Sequence, residues 1–89
     1  MRYRVHPDAL ANRIGDQMVV VQLQSDRIFE LNRTGARIWE LIAQNQTKAD
    51  IVKTLTQEFD VSDQSATAEF DQLVNKLSVE NLITIENED

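Results

Sequence analysis

Eighty-nine residues, 42% of them apolar, make one small core, and nine basic against fifteen acidic groups leave a net charge of −6. The absence of cysteine excludes disulfides, thiolate nucleophiles and thiolate-bound zinc, and the single histidine, His6, excludes any site built on two imidazoles. No apolar run approaches the roughly 20 residues that span a bilayer, and the N-terminus MRYRVHPD lacks a signal-peptide segment, so a soluble cytoplasmic protein is expected.

The N-terminal 16 residues are read as strands broken by turns. YRVH is a candidate strand, Pro7-Asp8 a turn, ANRI a second extended piece and Gly15-Asp16 another turn. From Gln17 to Leu23 the β-branched run Val19-Val20-Val21 argues for a strand. Met18 and Val20 point one way and Val19, Val21 and Leu23 the other. Both faces are apolar while helices cover only one, so the N-terminal segment is expected to cover part of the second.

Gln24 to Arg27 is a polar turn whose type stays open, since it lacks an Asn-Gly or Asp-Gly pair. In the next strand, an even-length loop places Phe29 and Leu31 on the face of Val20, under the helices. Glu30 then faces away from the core, as a charge on an edge strand should.

The first helix is capped by Asn32 or Thr34 and runs to about Gln44, with Ile38, Leu41 and Ile42 as its apolar stripe and Trp39 beside it. Asn45 is read as a left-handed terminator. Gly35 in the first turn costs about 1 kcal/mol of helix propensity against alanine, which points to close packing there. Thr47 opens the second helix, with Ile51, Val52, Leu55 and Phe59 at helical spacing. Ser62 caps the third, with Val61 and Ala66 at staple positions and Ala66, Phe70, Leu73, Val74 and Leu77 in one stripe through about Glu80. Asn81 ends it, and Leu82 to Ile85 is an extended tail before the acidic terminus. The order is strand–strand–strand–helix–helix–helix with a closing strand, a single α+β domain over residues 1–89.

Chemistry is sparse. There is no glycine-rich phosphate loop, and the two glycines, Gly15 and Gly35, stand apart. His6 near the terminus reads as a surface residue rather than a base. Asp60/Asp63 and Glu86/Glu88/Asp89 lack calcium-loop spacing, so no metal or other cofactor is expected and catalysis is disfavoured.

Charge separates the remaining readings. Residues 1–40 carry six basic and five acidic groups, a net of +1, whereas residues 41–89 carry three and ten, a net of −7. The second half repels phosphate backbones and attracts basic peptide segments, unless it is simply a solvated surface. A winged-helix DNA-binding protein would offer the third helix to the major groove. Over residues 63–81 that helix has Lys76 against Asp63, Glu69, Asp71 and Glu80, a net of −3 that opposes phosphate contact. A structural subunit of a larger enzyme is a third reading. Recognition of an extended peptide fits best: an edge strand beside an apolar helix accepts an added strand, and pockets select its side chains.

The ordered pieces RIFELN, Thr34-Gly35, Ile38-Trp39, Leu41, the Thr47-initiated helix and Phe70-Leu73-Leu77 followed by Leu82-Ile83 resemble the family of the pyrroloquinoline quinone biosynthesis protein D over about residues 17–85. These small domains recognise the leaders of ribosomally made, post-translationally modified peptides. The resemblance implies a winged-helix-like fold, with a small three-stranded antiparallel sheet followed by a three-helix bundle. It implies a non-catalytic adaptor that presents a precursor's leader to a maturation enzyme, without nucleic acid or membrane. A free-standing domain of this length is similar to those of lasso-peptide clusters, whose partner is a leader-cleaving cysteine protease, although radical-enzyme pathways use similar domains. The leader would pair antiparallel with Arg27, Ile28, Phe29, Glu30, Leu31 and Asn32. Phe70, Leu73, Val74 and Leu77 or their exposed margins would form pockets, and Glu69 and Asp71 would steer a basic leader.

Overall fold

The N-terminal third folds into strands because its apolar residues alternate or run together with β-branched side chains, and the remainder into helices because they recur every three to four positions. The computed structural model describes residues 1–87. In chain order it contains β1 (Arg2–Val5), β2 (Ala9–Ile14), β3 (Gln17–Gln22), β4 (Arg27–Leu31), α1 (Arg33–Ala43), α2 (Lys48–Phe59), α3 (Asp63–Val79) and β5 (Ile83–Glu86). Glu88 and Asp89 of the acidic terminus lie outside the described residues.

β2, β3 and β4 form one antiparallel sheet in that order, so β2 and β4 are its two edges. The pairs Val20↔Phe29 and Met18↔Leu31 put Phe29 and Leu31 on the face of Val20, as expected. On that face Met18, Val20 and Leu31 are buried with Ile38, Ile42, Ile51, Leu55, Phe70 and Leu77 from the helices. Each such side chain contributes roughly 1.5–3 kcal/mol by leaving water.

Two expectations about the N-terminal segment need correction. Four strands, not three, precede the first helix. The N-terminal segment does not cover the second face of β3. Its β2 lies in the plane of the sheet, paired residue for residue with β3 from Ala9↔Gln22 to Ile14↔Gln17, and leaves that face open. The closing strand expected after α3 is present as β5, which pairs with β1 in a separate two-stranded antiparallel sheet, Arg2↔Glu86 to Val5↔Ile83. That ladder brings Tyr3 edge-on to Phe70, with ring centroids 5.2 Å apart.

The helix ends follow their capping residues. Asn32, rather than Thr34, caps α1 by accepting the Gly35 N–H at 2.9 Å. Thr47 and Ser62 accept from Asp50 and Ser65 in the same way. Each cap is worth about 1 kcal/mol. Asn45 and Asn81 sit at φ +64° and +59°. Gln46 N–H then bonds the Leu41 carbonyl and Leu82 N–H the Leu77 carbonyl, which closes both helices with Schellman turns. Asp60, at φ +54°, ends α2 without a glycine.

A long-range bond ties the sheet to the turn that ends α3. The buried side chain of Gln22, at the end of β3, donates from Nε2 to the Asn81 carbonyl at 2.7 Å and accepts the Gln24 N–H at 2.7 Å. Both ends of this amide are thereby satisfied away from water.

Candidate functional site: an open strand edge beside a groove

The free edge of β4 is defined by hydrogen-bond alternation. In an antiparallel ladder each residue sends both its N–H and C=O to the same side, and successive residues alternate. Leu23 N–H bonds the Asp8 carbonyl at 2.9 Å, so Leu10, Asn12 and Ile14 of β2 also bond inward to Val21, Val19 and Gln17. Met18, Val20 and Gln22 of β3 therefore bond Leu31, Phe29 and Arg27. What remains is the outer row of β4: the main-chain N–H and C=O of Ile28 and Glu30 point off the sheet. Their side chains lie on the open face, away from the helices, and both residues are exposed.

β4 and α3 run past each other in opposite directions. At one end Arg27 reaches Glu80, Nη1 to Oε1 2.8 Å, while its guanidinium lies over the Phe29 ring at 5.3 Å from the centroid. At the other end, where β4 passes into α1, a groove of about 350 Å³ opens between the two helices. It is lined by Asn32, Thr34, Gly35 and Ile38 on one side and Glu69, Gln72, Leu73 and Lys76 on the other.

Gly35 forms part of its floor. A Cβ at this position would stand 3.3 Å from Asn32 Oδ1, 3.4 Å from Leu31 Cβ and 3.6 Å from Leu73 Cδ2. The close packing expected of this glycine is therefore present, and a larger side chain would grow into the contact between β4, α1 and α3.

The structure separates the residues singled out on α3. Leu73 and Glu69 line the groove. Phe70, Val74 and Leu77 are in the core, with Phe70 at 0% exposure, so they support the groove wall from behind. Asp71 is turned toward α2, where Lys48 Nζ binds its Oδ1 at 2.8 Å. That hydrogen bond, aided by charge, raises the Lys48 ammonium above its ordinary range. Of the two acids assigned to steering, only Glu69 lies at the groove. Arg27 through Asn32 all lie along the strand edge or its exit, with Phe29 half-buried and Leu31 buried on the inner face. Sequence reasoning missed Thr34, Gly35, Ile38, Gln72 and Lys76 as groove residues. Gln72 and Lys76 stand one helical turn from Glu69 and Leu73, so helical spacing from Leu73 was the available signal.

Among the described residues no cluster of three or more histidine, cysteine, aspartate or glutamate side chains could hold a metal ion. None of their helices is long and apolar enough to cross a membrane.

Two solved structures share this fold. One is TbiB1 in complex with the TbiA(beta) leader peptide, 21% identical, with TM-score 0.88 over 96% of this chain and 99% of that one. The other is a lasso peptide synthetase B1 complexed with the leader peptide, 24% identical, with TM-score 0.85 over 93% and 98%. No curated protein sequence matches the chain. Residues 17–83, from the start of β3 to the start of β5, match the family model for coenzyme PQQ synthesis protein D (PqqD), and the chain belongs to that family.

Proposed function

We propose that this protein is a non-catalytic adaptor that binds the leader region of a ribosomally made precursor peptide and presents it to a maturation enzyme. The observation that carries the reading is the outward row of Ile28 and Glu30 main-chain groups beside the groove at Gly35 and Leu73. An extended leader adds there as an antiparallel strand. Main-chain bonds give affinity, and side chains directed inward enter the groove. Glu69 and Lys76 at the rim favour a polar or charged neighbour to the apolar anchor.

Several facts support the reading: membership of the PqqD family, the shared fold with two proteins solved in complex with leader peptides, and the acidic α3. The lasso-peptide setting of one of those proteins favours a leader-cleaving cysteine protease as the enzyme served, in the cytoplasm. The β1–β5 ladder, which joins the two ends of the chain across the core, supports one recognition domain. The net −3 of residues 63–81 counts against the groove of a duplex as the ligand.

Titration with the fluorescein-labelled leader of a precursor peptide sought among the genes near the coding sequence tests the proposal. Binding at micromolar Kd or better is expected, about −8 kcal/mol. Glu30→Pro should abolish it. That residue's N–H lies outside the β3–β4 ladder, so the substitution removes an outward donor at little cost to the sheet. Normal binding by a folded Glu30→Pro variant would refute strand addition.

A further inference from the structure

The three-stranded sheet has two faces, and helices cover one. Across the other, Leu10, Val21 and Ile28 form a row that spans all three strands, with Ile14 and Val19 beside it. Leu10, Ile14 and Ile28 are 56%, 61% and 66% exposed. A shallow depression of about 510 Å³ lies over Leu10, Ile14, Val19 and Val21. Glu30 is the one charged residue among the strand positions of this face. An aliphatic face of this kind marks an interaction surface.

Its size limits what it holds alone. Three strands about 4.8 Å apart and some six residues long present roughly 300 Å². A standard stable interface needs about 800 Å² from each partner. The face is too small to pair durably with a second copy of this chain.

The missing area adjoins it. The face ends at β4, whose free edge takes the extended peptide if the protein is a leader-binding adaptor, and the inference rests on that reading. A strand added at this edge continues the sheet, and its side chains alternate. Those facing in enter the groove. Those facing out stand beside Ile28 and Glu30 and enlarge the open face.

We infer that the open face is the docking surface for the maturation enzyme, which contacts it with an uncharged apolar patch and reads face and bound peptide together. Helices block the inner side of the bound strand, so an enzyme that must reach the peptide approaches from the open side. A small apolar contact suffices for it. Once both proteins hold the same peptide, the second contact forms at an effective concentration on the order of millimolar. Near absence of charge makes this docking insensitive to salt, unlike any contact made with the acidic helices.

The test uses two β2 positions that lie away from the peptide edge. The double variant Leu10→Thr/Ile14→Thr keeps strand propensity and alters exposed side chains, and its melting curve verifies the fold. Its affinity for labelled leader should stay within about twofold of the starting protein, while leader processing by the purified leader-cleaving cysteine protease slows about tenfold at limiting adaptor. Because the chain has no cysteine, Leu10→Cys takes a single environment-sensitive dye. Its emission should shift only when protease and leader are both present.

Unchanged processing with intact leader binding, or a silent dye in the ternary mixture, overturns the docking inference and leaves the adaptor reading standing. Failure of the unmodified chain to bind leader overturns the adaptor reading instead. A dye shift that tracks the concentration of the chain alone assigns the face to a second copy and likewise refutes docking.

Discussion

The sheet has two free edges, and they are equally supplied with unpaired main-chain groups. On β4 these belong to Ile28 and Glu30, and on β2 to Ala11 and Arg13, the Ala9 N–H being taken by the His6 carbonyl at 3.0 Å. β4 leads into the groove between α1 and α3, where Gly35 lets α1 approach Leu31 and Leu73. Beside β2 the inner positions are Ala9 and Ala11, and Arg13 folds back to Glu40 at 2.6 Å and to the Gly15 carbonyl at 3.0 Å. Unpaired donors and acceptors make an edge available. A neighbouring cavity with side-chain selectivity makes it a site.

Paired substitutions break this comparison most sharply. Glu30→Pro should weaken leader binding by about 100-fold or more, equivalent to about 2.7 kcal/mol, whereas Ala11→Pro removes an outward N–H from β2 and should leave affinity within about twofold. Equal losses at both edges in an anisotropy titration would erase the distinction. Next in size, Gln22→Ala strips partners from the Asn81 carbonyl and the Gln24 N–H. It should cost about 2 kcal/mol and lower the thermal midpoint by about 10 °C. Gly35→Val pushes a branched side chain against Leu31 and Leu73, and about tenfold weaker leader binding is expected together with a melting midpoint lowered by several degrees.

The smallest effect lies away from both edges. Arg37 holds the Glu58 carboxyl below its ordinary range, chiefly by a hydrogen bond of 2.8 Å and with the help of its charge, while burial opposes. A carboxylate with a lowered pKa stabilises the fold above its unfolded pKa, and that contribution is lost as pH falls through the folded pKa. Both partners are partly exposed, so solvent screening limits the pair. Arg37→Met should cost at most about 0.5 kcal/mol at neutral pH, and its urea-unfolding curve should merge with that of the unmodified chain below about pH 4. Leader affinity should not change.

Local signals were the legible ones. Val19-Val20-Val21, the even loop before Ile28 and the caps at Asn32, Thr47 and Ser62 each act within a few residues, and the elements they define appear where expected. The pairing of Tyr3 with Ile85 left no mark in the sequence because two four-residue strands carry too little alternation to announce a partner. The in-plane position of β2 was legible but outweighed. The two-residue Gly15-Asp16 turn between ANRI and Gln17 is a hairpin signal, but the apolar second face of β3 argued for coverage instead. At the candidate site, the stripe Phe70-Leu73-Val74-Leu77 identified the right face of α3. Periodicity alone does not say which member of a stripe reaches its margin, and only Leu73 does. The pairing of Asp71 with Lys48 was not legible because that lysine comes from another helix.

Gln22 and Arg27 tether the same end of the cleft, one from β3 to Asn81 and the other from β4 to Glu80. The buried Gln22 bond holds this end closed, and the opening at Gly35 and Leu73 is already present in the peptide-free chain. A receptor of this kind has no slow opening step to wait for. Its association with a leader should show a single exponential whose rate rises linearly with peptide concentration, and differences in affinity among leaders should reside in how fast they leave.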